Sequence, residues 1–144
     1  MQKISVIIPA HNEEKSIANV IKHLRNSTIK SEIIVVDNCS TDNTAKKAEE
    51  SGADKIVYCN NKGKGYAMEE GLKHVNNNII IFIDGDLKIE TNKILEIMTE
   101  PIINSDIDFV KSTFKREGGR VTELVTKPLL DLLFPNMYKF RTTA

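Results

Sequence analysis

Short runs of branched apolar residues alternate with amphipathic stretches along most of this chain. Ile4-Ser5-Val6-Ile7-Ile8 reads as a first strand ended by Pro9, and Asn12-Glu13-Glu14 then predicts a helix start. Asn can cap, and the two Glu suit the positive end of the helix dipole. Ile17, Val20, Ile21 and Leu24 continue at helical spacing. Ile33-Ile34-Val35-Val36 predicts a second strand, closed by Asp37. Ser40-Thr41-Asp42-Asn43-Thr44 supplies several caps for a helix reaching about Ser51, where Gly52 stops it. Lys55-Ile56-Val57-Tyr58 is the third strand. The turn Gly63-Lys64-Gly65 leads into a helix with Ala67, Met68, Leu72 and Val75, and Ile79-Ile80-Ile81-Phe82-Ile83 is the fourth strand.

Beyond it, the pattern predicts a short helix from about Asn92 to Met98, stopped before Pro101. Ile107-Asp108-Phe109-Val110-Lys111 reads as a fifth strand. Gly118-Gly119 breaks the chain before a helix from about Val121 with Leu124, Val125, Leu129, Leu132 and Leu133. Near-continuous Val/Ile strands alternating with helices predict an α/β fold, a three-layer α/β/α sandwich on a mostly parallel sheet.

Composition narrows the class. The 144 residues fit one domain able to bury a core without disulfides. Net charge is zero, so no global field favours nucleic acid or membrane. Cys39 and Cys59 form neither a CxxC pair nor a disulfide framework and fit a reducing, cytoplasmic protein. The strand pattern begins almost at once, so no signal peptide is expected. No apolar run approaches the roughly 20 residues that span a bilayer.

In a parallel sheet every strand-to-helix loop lies at one edge, so four loops should converge: 9–13, 37–40, 61–65 and 84–86. Asp84-Gly85-Asp86 is the most informative. Asp-Gly is a common turn signal, yet two carboxylates at the carboxyl end of a buried strand can also hold a divalent cation over the ligand crevice. Amides and carboxylates in the other loops suit a base and ribose, and Lys64 between glycines can approach a phosphate. No GxGxxG follows the first strand and no GxxxxGK[ST] is present. A second cluster, Lys111, Lys115, Arg116 and Arg120 around Gly118-Gly119, reads either as a solvated basic loop or as an anion site at a helix start.

The ordered set Val6-Ile7-Ile8-Pro9-Ala10-His11-Asn12-Glu13-Glu14, Ile34-Val35-Val36-Asp37-Asn38-Cys39-Ser40, Asn61-Lys62-Gly63-Lys64-Gly65 and Phe82-Ile83-Asp84-Gly85-Asp86 resembles the family 2-like glycosyltransferases of GT-A fold. That resemblance makes residues 1–90 a donor-binding half. Pro9, Ala10, His11, Asn12, Glu13, Asp37 and Asn38 would line the nucleoside pocket for a UDP- or GDP-sugar. Lys64 would lie near the diphosphate. Asp84, Gly85 and Asp86 would form the DxD site, with Asp84 and Asp86 as ligands to Mg²⁺ or Mn²⁺. Asp86 and Lys64 would be the catalytic residues. The family often has Gly where this chain has Cys39, and Asp or Ser where it has Asn38.

A narrower resemblance, from Phe109-Val110-Lys111-Ser112 through Gly118-Gly119-Arg120-Val121-Thr122 to Pro128-Leu129-Leu130, is to the glucosyl-3-phosphoglycerate synthases, which are retaining enzymes. It makes residues 107–144 an acceptor-site loop and apolar C-terminal helix, with Gly119, Arg120 and Thr122 binding a small phosphorylated acceptor such as 3-phosphoglycerate. Such synthases continue further and draw a histidine metal ligand from that extension. No histidine follows His74 here, so a C-terminally truncated member is expected. Two alternatives stay open: a non-catalytic or partner-dependent nucleotide-sugar-binding module, and a lipid-phosphate sugar transferase. The crowd of Leu129, Leu130, Leu132, Leu133, Phe134, Met137, Tyr138 and Phe140 predicts either homo-oligomerisation or a helix folded back on its own sheet.

Overall fold

The computed structural model describes residues 4–105 and 107–112. In chain order these form β1 (Ile4–Ala10), α1 (Ile17–Arg25), β2 (Ser31–Asp37), α2 (Thr44–Glu50), β3 (Lys55–Tyr58), α3 (Lys64–Leu72), β4 (Ile79–Phe82) and α4 (Ile94–Asn104). The four strands make one sheet in the order β3-β2-β1-β4. Every pairing is parallel. β1 therefore sits inside the sheet, with β2 on one side and the later β4 on the other. The chain reverses direction across the sheet at β1, which opens a crevice beyond its carboxyl end. Chain contacts divide after Lys111, and this fold belongs to the first unit.

Both faces of the sheet are covered, which explains the near-continuous apolar runs in β1 and β2. Ile4, Val6, Ile8, Ile33, Val35 and Ile81 pack on one face with Ile17, Val20, Ile21 and Leu24 of α1, Ala48 of α2 and Leu95 of α4. Ile7, Ile34, Val36 and Val57 face the other way and pack with Ala67 of α3. This is the three-layer arrangement that the periodicity predicts.

α3 approaches the sheet through small residues. Only Ala67 and Gly71 of this helix are buried. A Cβ at Gly71 would stand 2.5 Å from Ile7 Cγ2 and 3.1 Å from Val36 Cγ2, so the helix must lift to admit one. Gly71→Ala is expected to cost about 1–2 kcal/mol despite alanine's better helix propensity, read as a lower denaturation midpoint with unchanged slope.

At the edge of the sheet opposite the crevice, Glu32 collects a polar network. It accepts from buried Ser5 Oγ at 2.8 Å and from Asn76 Nδ2 at 2.8 Å, and it pairs with Lys55 Nζ at 2.9 Å. Burial alone would raise its pKa. The bonds from Lys55, Ser5 and Asn76 and the Lys55 charge outweigh that and hold it at about 2, against an ordinary 4.5. A carboxylate depressed in the folded state stabilises above its unfolded pKa, and that contribution is lost as pH falls toward the folded one. Glu32→Gln should therefore flatten the loss of stability between pH 4.5 and about 2. It should remove on the order of 2 kcal/mol at neutral pH, allowing for solvent at the lysine end; acid titration of the unfolding midpoint checks both.

Three expectations need correction. Residues 107–111 form no strand among the described residues. Ile107 is 44% and Phe109 75% exposed, so the alternation is present but no strand among the described residues pairs with it. α4 does not stop before Pro101. It runs through to Asn104, anchored by buried Leu95 and Thr99, with Thr99 Oγ1 donating to Leu95 O at 2.7 Å. Asn12 does not cap α1. Its φ is +56°, and the helix begins at Ile17 with Ser16 as its cap residue.

Candidate nucleotide-sugar site

The carboxyl ends of β1, β2 and β4 and the start of α3 enclose a cleft of about 260 Å³. Its walls are Pro9, Ala10, His11 and Glu13 from the first loop, Asn38 from the second, Lys64 and Ala67 from α3, and Asp84, Gly85 and Asp86 from the loop after β4. Four segments distant in sequence thus meet where the parallel topology brings their loops together.

Two of the expected pocket residues, Asn12 and Asp37, build the walls without lining them. Asn12 Oδ1 accepts from Thr41 N at 2.8 Å, and Asn12 N donates to Ser40 Oγ at 3.0 Å. These bonds fix the left-handed Asn12 and tie the first loop to the second. Asp37, 6% exposed, accepts from Ser40 N at 2.9 Å and turns the chain after β2. Around them, Glu13 N donates to Thr44 Oγ1 and Glu14 N to Asp42 Oδ2. Glu14 Oε2 in return accepts from Asn43 N at 3.1 Å. Burial tends to raise the Asp42 pKa, but bonds from the Thr44 side chain and the Glu14 and Thr44 backbone lower it below the ordinary carboxylate range. The stretch 40–44, rich in capping residues, therefore caps its own helix only in part and also fastens the first loop.

Asn38 organises the third loop. The residue is 4% exposed; Nδ2 donates to Asn61 O at 2.7 Å, and Oδ1 accepts from Gly63 N at 2.6 Å. Gly63 has φ +141° and immediately precedes α3, a conformation that excludes a side chain. Asn38 O also accepts from His11 Nδ1 at 2.8 Å. A carbonyl can only accept, so the proton of a neutral His11 lies on Nδ1 and leaves Nε2 as an acceptor. Cys39 follows with φ +59°, its Sγ donating to Cys59 O at 3.2 Å. A left-handed backbone at this position favours glycine over a side-chain-bearing residue.

The charged groups are at the mouth. Lys64 Nζ lies 2.5 Å from Asp84 Oδ1, and both side chains are about half exposed, at 59% and 52%. Asp86 is exposed and has no hydrogen bond or ion pair among the described residues. Between them, buried Gly85 has the space of a Cβ bounded by Ala10 Cβ and Glu13 Cγ, each 3.4 Å away. Two hard carboxylates open to solvent fit Mg²⁺ or Mn²⁺ shared with phosphate oxygens and water. No set of three metal-ligating side chains gathers among the described residues.

Ala67 is the wall residue that periodicity hides. It reads as ordinary helix core, and its one signal is its place on the same face as Gly71, four residues on. The expected acceptor residues Gly119, Arg120 and Thr122, and the apolar cluster 129–140, lie outside the described residues. No helix among the described residues is long and apolar enough to cross a membrane.

Comparison with known proteins agrees with this geometry. The family model Glycosyl transferase family 2 matches residues 5–143. A 4,4'-diaponeurosporenoate glycosyltransferase of Staphylococcus haemolyticus (strain JCSC1435) is 41% identical over 101 residues, 66% of this chain and 27% of that protein. Protein RfbJ of Shigella flexneri is 37% identical over 101 residues, 70% of this chain and 78% of its own length. Among solved structures, glucosyl-3-phosphoglycerate synthase from Mycobacterium tuberculosis in complex with Mn²⁺, UDP-glucose and phosphoglyceric acid superposes with a TM-score of 0.81 at 36% identity, over 93% of this chain and 51% of that one. Its complex with Mg²⁺ and UDP gives the same TM-score and identity, over 50% of that chain. The chain thus spans about half the length of these solved structures and 27% of the Staphylococcus relative. The parallel sheet with helices on both faces is of the GT-A type that these structures share.

Proposed function

We infer, for a chain that belongs to glycosyl transferase family 2, a cytoplasmic, metal-dependent glycosyltransferase that moves a sugar from a nucleotide-diphospho-sugar to a small phosphorylated acceptor, 3-phosphoglycerate. The observation that carries this reading is the cleft in which two carboxylates, a lysine and the loops after β1 and β2 meet. The synthase crystallised with Mn²⁺, UDP-glucose and phosphoglyceric acid, similar over 93% of this chain, supports the same ligands here. Pro9, Ala10, His11, Glu13 and Asn38 would enclose the nucleoside. Asp84 and Asp86 would hold Mg²⁺ or Mn²⁺. When bound, such an ion neutralises charge on a departing diphosphate. Lys64 would add a positive charge beside the same phosphates. Gly119, Arg120 and Thr122 would orient the acceptor so that its hydroxyl faces the anomeric carbon.

A second reading, donor binding without turnover, is favoured by one observation. Asp84 and Asp86 have no third metal-ligating side chain among the described residues. Calorimetry with UDP, GDP, UDP-glucose and GDP-mannose, with and without Mn²⁺, followed by a transfer assay with 3-phosphoglycerate, tests both readings. Metal-dependent binding of a uridine or guanosine ligand is expected. Binding with transfer supports the enzyme, binding alone supports the module, and no nucleotide binding removes both.

A further inference from the structure

We propose that Lys64 is an exchangeable counter-ion. In the free protein its ammonium holds Asp84, and a nucleotide diphosphate draws it away, releasing Asp84 for a divalent cation. This rests on the reading of the cleft as a nucleotide-diphosphate site. The 2.5 Å contact between Lys64 Nζ and Asp84 Oδ1 places a protein cation on one of the two carboxylates that would receive the metal. Both side chains are about half exposed, and an ion pair in that setting is weak enough to exchange. The lysine stem is flexible, while its root is fixed. Lys64 is the first residue of α3, directly after the Gly63 whose N–H Asn38 holds at 2.6 Å.

Among the described residues, the other charges facing this pair are few. Asp86 and Glu13 line the same cleft, as does the His11 ring; the Glu13 carboxylate already accepts from Ser16 Oγ at 2.8 Å. A divalent cation arriving alone meets an Asp84 already neutralised, and an ammonium a few ångströms away repels it. A diphosphate offers the ammonium new anionic oxygens, so the conflict disappears. Metal and nucleotide then raise each other's affinity by one shared factor, because binding linkage is reciprocal. Lys64 in this role is a positioning residue, and it sets the order of assembly: metal binds weakly until the nucleotide arrives.

The test reads metal binding in the free protein rather than turnover. Mn²⁺ affinity is measured by electron paramagnetic resonance of unbound Mn²⁺, with and without UDP, for wild type, K64M, K64Q and K64R. The neutral variants K64M and K64Q are expected to bind Mn²⁺ alone roughly 3- to 10-fold more tightly than wild type. UDP should raise their Mn²⁺ affinity by a correspondingly smaller factor, whereas K64R keeps the wild-type pattern. Neutral variants that bind Mn²⁺ alone no better than wild type overturn the exchange. The nucleotide reading fails separately, if wild type binds no UDP in the presence of Mn²⁺.

Discussion

Asp86→Ala is expected to abolish Mn²⁺-dependent binding of UDP, lowering affinity at least about 100-fold and removing sugar transfer. The two carboxylates after β4 differ in what holds them. Asp84 is paired with Lys64, whereas Asp86 stands free of hydrogen bonds and ion pairs among the described residues. A cation bound by one or two carboxylates and shared with phosphates loses much of its protein attachment when the free one is removed. Asp86 is exposed at the cleft mouth, so the substitution should leave the unfolding midpoint within about 0.5 kcal/mol of wild type. The measurement pairs UDP titration with and without Mn²⁺ against thermal unfolding. Unchanged Mn²⁺-dependent UDP binding in a folded variant would sink the metal role of Asp86. Asp86→Asn, which keeps shape but removes charge, should resemble Asp86→Ala in binding.

Asn38→Ala should cost about 2–3 kcal/mol of stability and also weaken nucleotide binding roughly 10-fold. The Asn38 side chain satisfies one donor and one acceptor of the third loop, Gly63 N and Asn61 O. Its loss leaves both without that partner and frees the start of α3 from the second loop. Asn38→Asp separates the two bonds. The carboxylate still accepts from Gly63 N but sets a second oxygen against Asn61 O, so intermediate stability is expected. Denaturant unfolding and UDP calorimetry on the same preparations check the pair. If Asn38→Ala lowers stability while UDP affinity stays at the wild-type value, the loop clamp has no part in binding.

The sheet is legible because strands buried on both faces are apolar at nearly every position. Ile4 to Ile8 and Ile33 to Val36 are short, rich in β-branched residues and closely bounded by turn residues, which favours strands over buried helix segments. The four converging loops followed from parallel topology alone. Other features depend on partners that a linear pattern does not show. Ile107 and Phe109 alternate like a strand, but pairing requires a neighbouring edge, and none of the described strands supplies it. Pro101 carries the usual stop signal, yet burial of Leu95 and Thr99 holds α4 across it. Asn12 and Asp37 are legible as site residues by type, and one oxygen of each side chain also shapes a loop. Asn38 reads by type as a nucleoside contact; its clamp on Asn61 and Gly63 depends on β2 and the third loop lying side by side, which no linear pattern shows.

Gly71 gives α3 its closest approach to the sheet, and Lys64 begins that same helix seven residues earlier. The distance between helix and sheet is therefore the baseline from which the lysine must reach across to Asp84. One methyl group at Gly71, wedged against Ile7 and Val36, would raise that baseline two helical turns away from the cleft. The glycine thus works as a gauge: the thickness of packing between α3 and the sheet calibrates how far a charge extends over the mouth of the site.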